Sequence, residues 1–337
     1  MDPSADLLRW YDRHARTLPW RVPPGEKRAP DPYHVWLSEV MLQQTTVAAV
    51  APRYLAFLAR WPTVKDLAAA DEGDVLREWA GLGYYARARN LHACAKRVAV
   101  DGFPRTEAEL RQLPGIGDYT AASIAAIAFG EAAAVVDGNI ERVVTRLLAD
   151  ATPLPAARRP VRAWMAQETP AHRPGDFVQA MMDLGATICT PRAPSCLLCP
   201  LAAGCAAHER GEETAYPVKP ARKARPTRRG TAFVALRNGK VWLVRRPPSG
   251  LLGGTTAVPT DGWSARRDGD GAPPCPGTWT KKGAVEHGFT HFALVLDVLV
   301  SHDAAPAGDG WWGEAAGLPT LFRKVVEAAG VAVHARP

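Results

Sequence analysis

LPGIGDYTAASIAAIAFGEAAAVVDGN, residues Leu113 to Asn139, joins a glycine-rich turn to a helical run and closes on an acid beside a glycine. Pro114 removes one amide donor, and Gly115 and Gly117 carry no Cβ, so this backbone can come close to another molecule. The helix that begins immediately afterwards has first amides without internal partners, at the positive end of its dipole. Turn and helix start together therefore offer a seat to an anion, above all a phosphate. Upstream, TEAELRQL over Thr106 to Leu113 is predicted as a short helix opened by a capping box of Thr106 and Glu109. The local plan is helix, glycine hairpin, helix. Two packed helices joined by a tight turn that binds nothing would have the same pattern.

The chain of 337 residues is long enough for two domains, and a hydrophobic content of 47% supplies a core for each. A formal net charge of +7 favours an acidic polymer such as nucleic acid as partner, although many basic proteins bind none. The N-terminus shows no basic start followed by an apolar run, and no stretch has the ~18 consecutive apolar residues of a membrane span. A cytoplasmic protein is expected. Four of the six cysteines, Cys189, Cys196, Cys199 and Cys205, crowd into a C-x6-C-x2-C-x5-C pattern, which reads as metal binding before disulfides. Four such thiolates can surround a zinc ion or an iron–sulfur cube. Cys94 and Cys275 are expected to be plain thiols.

The first hundred residues carry helical periodicity. Asp31-Pro32 marks a helix start, and the helix is predicted to run on through YHVWLSEVMLQQTTVAAVA until Pro52 ends or kinks it. Glu39 is the one charged residue between Val35 and Pro52. Desolvation against apolar neighbours would raise its pKa, as a general acid requires; a partly exposed helix glutamate is the plainer alternative.

SEVMLQQT, from Ser38, resembles the active-site segment of the adenine DNA glycosylase family (MutY), in the endonuclease III superfamily. LPWR at Leu18 to Arg21, GLGYYARARN at Gly81 to Asn90, the hairpin, VDGN and FVQAMMDLGATIC at Phe177 to Cys189 fit the same family in order. This resemblance implies a mainly α helix-hairpin-helix glycosylase domain with a 4Fe-4S cluster loop over residues 1–207. A basic Pro-rich linker over 208–229 and a smaller α+β Nudix-like domain over 230–337 would follow. It makes Cys189, Cys196, Cys199 and Cys205 the ligands of a 4Fe-4S cluster, and Gly115 and Gly117 the DNA-phosphate contacts. Glu39 becomes the general acid, Asp137 the ionised partner that stabilises a cationic sugar, and Asn139 an orienting residue. The adenine pocket would draw on Arg16, Leu18, Trp20, Arg21, Leu42 and Gln179, although Arg16 and Arg21 could equally be surface or phosphate-binding residues, and Gln44 would make a contact in the opened helix. Tyr84 is assigned as a wedge in the opened duplex, with Tyr85 read as core. Asp137 also reads as a simple N-cap for NIERVVTRLL, and the two roles are compatible.

Tyr119 stands where lyase members of the superfamily carry a lysine that forms a Schiff base. The expectation is a monofunctional glycosylase that removes adenine opposite 8-oxoguanine or guanine from double-stranded DNA, acting as a monomer. The alternatives are an endonuclease III-like oxidised-pyrimidine glycosylase/lyase and a non-catalytic DNA clamp.

Residues 208–229 hold six Lys or Arg between Lys219 and Arg229, with interspersed prolines, and read as an extended tether. Beyond about Thr231, FVALRNGKVWLV predicts a hairpin turning at Asn238-Gly239, FTHFALVLDVLV a strand and LPTLFRKVVEAAG a closing helix. RPPSGLLGG and FTHF resemble the Nudix-like domain of the same family, which makes Phe289, Thr290 and His291 the expected readers of 8-oxoguanine. Leu252 stands in place of a usual tryptophan and Thr290 in place of a usual serine; threonine keeps the hydroxyl. The acid-rich metal-binding helix of hydrolytic Nudix proteins is missing, so no pyrophosphohydrolase activity is expected.

Overall fold

A computed structural model describes residues 2–220, 224–248 and 250–333. They form two compact units, one of residues 2–69 with 93–220 and the other of residues 70–92 with 224–333.

The first unit is helical. α1 (Pro3–His14) opens on Asp2, whose carboxylate accepts the amides of Ser4 and Ala5. α2 (Pro32–Leu42) starts as read: Asp31 caps it through the Tyr33 amide, with proline at the first position. It ends ten residues before Pro52. Gln43 leaves helical geometry, Gln44 takes a left-handed backbone (φ 56°), and Thr46 caps a new helix, α3 (Val47–Arg60), inside which Pro52 lies. The expected single helix is therefore two. The side-chain cap of Thr46 makes the break, in a stretch with neither glycine nor proline to signal it.

α4 (Val64–Ala69) follows, then α5 (Glu72–Glu78) and the start of α6 (Ala86–Asp101) in the second unit. The hairpin comes next. α7 (Glu107–Leu110) is capped by Thr106, which accepts the Glu109 amide and donates its hydroxyl to the Glu109 carboxylate at 2.8 Å. Leu113 to Ile116 is a turn closed by the Ile116 amide on the Leu113 carbonyl at 3.2 Å. Gly115 supplies the positive φ (74°) that a Pro-Gly turn of this kind needs. Gly117 then caps α8 (Asp118–Phe129) without a side chain, leaving the first amides of the helix open.

α8 is buried on nearly all sides by Thr120 to Ala126, small residues that let neighbouring helices approach. It packs on α2 and on α11 (Pro174–Thr187), itself buried along most of its length. α9 (Gly138–Leu147) and α10 (Arg158–Glu168) complete the bundle, α9 lying against α11. At that contact Gly185 is required, because a Cβ there would stand 2.6 Å from the Asn139 Cβ.

Part of the basic stretch is folded. α12 (Ala206–Glu209) and a 3-10 turn over Glu213–Ala215 occupy its start, and the Val218 carbonyl accepts the Leu154 amide at 2.9 Å. The expectation of an extended tether is corrected over 208–218: that one backbone hydrogen bond, with Arg146 Nε donating to the Tyr216 carbonyl at 3.3 Å, holds the chain to the bundle. Residues 221–223 of that stretch, and Ser249 of RPPSGLLGG, lie outside the described residues.

The second unit is built on a six-stranded mixed sheet of order β3-β2-β1-β5-β4, with β6 on β2. Its strands are β1 (Thr227–Arg237), β2 (Lys240–Arg245), β3 (Thr256–Ala257), β4 (Thr280–Gly288), β5 (Ala293–Ser301) and β6 (Gly310–Gly313). The predicted hairpin is there: Arg237 pairs with Lys240, and Asn238 (φ 51°) and Gly239 (φ 75°) form the two-residue turn. β1 begins four residues before Thr231, because its first residues pair in parallel with β5 from Thr227↔Ala293 onward. Leu294, Leu296, Val298 and Val300 alternate into a core closed by Leu321, Phe322, Val325 and Val326 of α13 (Thr320–Ala328). Residues 261–279 carry no helix or strand.

Candidate active site

The first unit contains a cavity of about 720 Å³ between α2, α8, α9 and α11. Glu39, Asp137, Tyr119, Asn139, Arg16, Leu18, Trp20, Arg21, Leu42, Gln44, Gln179, Gly115 and Gly117 all line it. Residues far apart in sequence thus share one enclosure. Tyr84, Phe289, Thr290 and His291 belong to the second unit.

Glu39 is 5% exposed, on a helix buried from Val35 to Met41. Burial raises its pKa, the Tyr119 hydrogen bond opposes this, and the Asp137 carboxylate adds to the rise. The Tyr119 hydroxyl donates to Glu39 Oε2 at 2.6 Å. Burial and the neighbouring carboxylates keep that phenol well above its usual range, so it remains a donor.

Asp137 is the N-cap of α9: Oδ1 accepts the Ile140 amide at 2.7 Å and Oδ2 the Asn139 side-chain amide at 3.1 Å. These bonds favour the carboxylate, yet its pKa moves upward, because desolvation outweighs them. The helix end therefore does not set the titration of this group alone. Both acids are pushed up by burial, and Glu39 is raised further by the Asp137 carboxylate.

Two residues missed in the sequence shape the site. Asp183, fully buried, accepts the Arg16 amide at 2.9 Å, Arg16 Nε at 2.6 Å and Arg21 Nη1 at 2.7 Å. Arg16 and Arg21 are therefore cavity-wall residues held by one carboxylate, not surface cations. The available signal was the four-residue step from Gln179 to Asp183, which puts both on one face of α11. Asp183→Ala would leave both guanidiniums without that partner and is expected to cost about 3 kcal/mol. Differential scanning calorimetry should show Tm falling by roughly 6–12 °C.

Arg142 is the second. Its Nε donates to the Cys189 carbonyl at 2.7 Å, and its Nη2 to the Gly185 carbonyl at 2.6 Å and to Asn139 Oδ1 at 2.9 Å. A hydrogen-bonded path thus runs from the cysteine loop through Arg142 and Asn139 to Asp137.

The raised pKa of Glu39 also sets a pH dependence of stability. A carboxyl with a folded-state pKa above its unfolded one stabilises fully below the unfolded value, about 4.3, and loses that contribution as pH rises through the folded value. Glutamine does not titrate. The Tm of Glu39→Gln minus that of the parent should therefore grow between pH 5 and pH 8 in thermal melts, whereas a gap independent of pH would mean the carboxyl is not desolvated.

Cys189, Cys196, Cys199 and Cys205 line one small cavity together with Arg146, His208 and Glu213. Burial pushes the Cys196 thiol up to about 11 and that of Cys199 up to about 12, each further raised by its sulfur neighbours. Four thiolates here therefore need a cation among them. Among the described residues, Cys196, His208 and Glu213 are the group of three metal-ligand types whose atoms lie within 4.8 Å of one another. Four cysteine thiols on one cavity are the donor set that an iron–sulfur cube takes, so these residues fit such a group.

In the second unit, Tyr84 is 48% exposed with a left-handed backbone (φ 48°), while Tyr85 is buried. The Tyr84 and Thr290 hydroxyls are hydrogen-bonded to each other. Phe289 stacks on Phe292 at 4.7 Å and meets His287 edge-on at 4.8 Å; Thr290 and His291 are exposed. Leu252 also has a left-handed backbone (φ 53°).

Residues 37–159 match the family described as HhH-GPD superfamily base excision DNA repair protein, and residues 231–328 match the NUDIX domain. The adenine DNA glycosylase of Homo sapiens is 37% identical over 95% of this chain and 72% of its own length. That of Mycobacterium tuberculosis (strain CDC 1551 / Oshkosh) is 40% identical over 68% of this chain and 73% of its own. The Rattus norvegicus protein is 46% identical over 64% of this chain, a match that spans 44% of the rat protein. Among solved structures, a thermostable thymine-DNA glycosylase superposes with a TM-score of 0.54 at 27% identity, covering 61% of this chain and 95% of that one. A trapped endonuclease III–DNA covalent intermediate shares the fold, with a TM-score of 0.50 at 23% identity, over 62% of this chain and 94% of that one.

Proposed function

Because the chain belongs to the adenine DNA glycosylase family, we propose that its cavity takes an adenine extruded from duplex DNA and releases it by hydrolysis, the mispaired partner being 8-oxoguanine or guanine. The observation that carries this reading is one buried glutamate, its pKa raised by that burial, and one helix-capped aspartate on the same cavity. Glu39 gives its proton to adenine N7 as the bond from sugar C1′ to N9 breaks, and the bonding electrons leave with the base. Tyr119 occupies Oε2 of Glu39 and so leaves the other oxygen to act on the base. Asp137, ionised, faces the sugar as positive charge develops at C1′ and helps water or a transient adduct resolve it. Asn139 and Arg142 hold that carboxylate in place. Arg16, Arg21, Gln179 and Gln44 offer hydrogen bonds to the base edge, and Leu18, Trp20 and Leu42 offer apolar contact.

The open amides around Gly115 and Gly117 suit a backbone phosphate. The four cysteines would hold a 4Fe-4S cluster, whose chemistry when bound is to tie the Cys189–Cys205 loop into one rigid unit. Tyr84 suits a wedge, and Phe289, Thr290 and His291 a surface that reads the partner base. The reading includes domains at 1–207 and 230–337 joined over 208–229, a monomer, and a place on bacterial DNA in the cytoplasm; among the described residues no helix is long and apolar enough to cross a membrane.

Duplexes with adenine opposite 8-oxoguanine, guanine, thymine or cytosine, incubated and then treated with alkali, test this reading. Breakage at adenine in the first two, only after alkali, is the expected result. Since Tyr119 has no amine for a Schiff base, borohydride should trap no protein–DNA adduct. Strand breakage at thymine glycol without alkali would favour a lyase, and tight binding without an abasic product would favour a clamp.

A further inference from the structure

The cysteine cavity contains more donors than a four-thiolate group uses. Cys196 opens a 3-10 turn, His208 lies on α12, and Glu213 opens another 3-10 turn, so the fold brings together three donors from separate elements. One ligand atom from each lies within 4.8 Å of the other two. Glu213 Oε1 is 2.6 Å from His208 Nδ1 and 3.4 Å from Cys196 Sγ. Around one tetrahedral cation with bonds of about 2.3 Å to sulfur and about 2.0 Å to oxygen, the sulfur–oxygen edge is about 3.5 Å. That edge already has its metal-bound length, and the nitrogen–oxygen edge would open by less than about 1 Å. His208 and Glu213 keep 35% and 20% of their side chains exposed, which leaves a route for the ion and for a fourth ligand from water.

Charge agrees with geometry. A thiolate, a carboxylate and a neutral imidazole together balance a divalent cation, and this mixed donor set is one that borderline cations accept.

We propose that Cys196, His208 and Glu213 form a mononuclear site for a zinc-class divalent cation, filled when the cavity holds no iron–sulfur cluster. Binding releases the Cys196 thiol proton to solvent, and a water completes the tetrahedron. Because Cys196 is shared, the two occupancies exclude one another, and the cavity becomes a point at which cation supply selects the form of the protein.

The test is a titration of the full-length chain, produced in iron-depleted medium, with cobalt(II) alone and then with zinc as competitor. One cobalt per chain is expected, with tetrahedral d–d bands and a charge-transfer intensity of one thiolate. His208→Ala and Glu213→Gln should each weaken binding by at least about tenfold, a loss typical even of groups that only support a metal site. Cys189→Ser and Cys199→Ser should leave cobalt binding unchanged, and either variant alone decides this point if the other fails to fold. A charge-transfer intensity of four thiolates, lost on Cys189→Ser and indifferent to His208→Ala, would overturn the proposal, as would the absence of retained cobalt. Neither result depends on whether the cluster assignment holds.

Discussion

Glu39→Gln is expected to lower single-turnover adenine release by about 10²–10⁴-fold, the range for loss of a positioned general acid. Affinity for the same duplex, measured by fluorescence anisotropy, should change by less than about threefold, because the phosphate contacts that dominate affinity lie elsewhere. The side chain is nearly isosteric and can still accept the Tyr119 hydroxyl bond seen at Glu39 Oε2. Only the transferable proton is removed. If release and binding fell together, Glu39 would be a structural residue of α2.

Asp137→Asn separates the two roles of this aspartate. Asparagine is as good an N-cap as aspartate, so the bond from the Ile140 amide can be kept and Tm should move by less than about 3 °C, the equivalent of under about 1 kcal/mol. The negative charge opposite the developing sugar cation is lost, and the rate should fall by about 10²–10³-fold, as when one electrostatic stabiliser of a transition state is removed. A normal rate would reduce Asp137 to its capping role.

Much of this is legible in the sequence, where local chemistry governs. Asp31-Pro32 starts α2, Pro114-Gly115 turns the hairpin, and Asn238-Gly239 turns β1 into β2. Glu39 stood out because it is one acid in an apolar run. What could not be read is non-local. The break at Gln43 to Thr46 depends on a threonine cap and a left-handed glutamine, neither of which a Gln-Gln-Thr-Thr string announces. The early start of β1 depends on a parallel partner more than sixty residues downstream. Asp183 carries no motif; its meaning comes from two arginines over 160 positions away. The upward shift at Asp137 is of the same kind, since a helix cap visible in sequence is outweighed by burial that only packing creates. His208 and Glu213 lie in a stretch that reads as a charged tether until α12 folds and turns them toward Cys196.

The most direct test of a proton-holding Glu39 working with an ionised Asp137 is the pH dependence of single-turnover adenine release from a duplex with adenine opposite 8-oxoguanine. The rate should peak, falling on the alkaline side as Glu39 gives up its proton and on the acid side as Asp137 gains one. A rate that climbed steadily with pH would show that the carboxylate form of Glu39 is the active one, and would contradict the account.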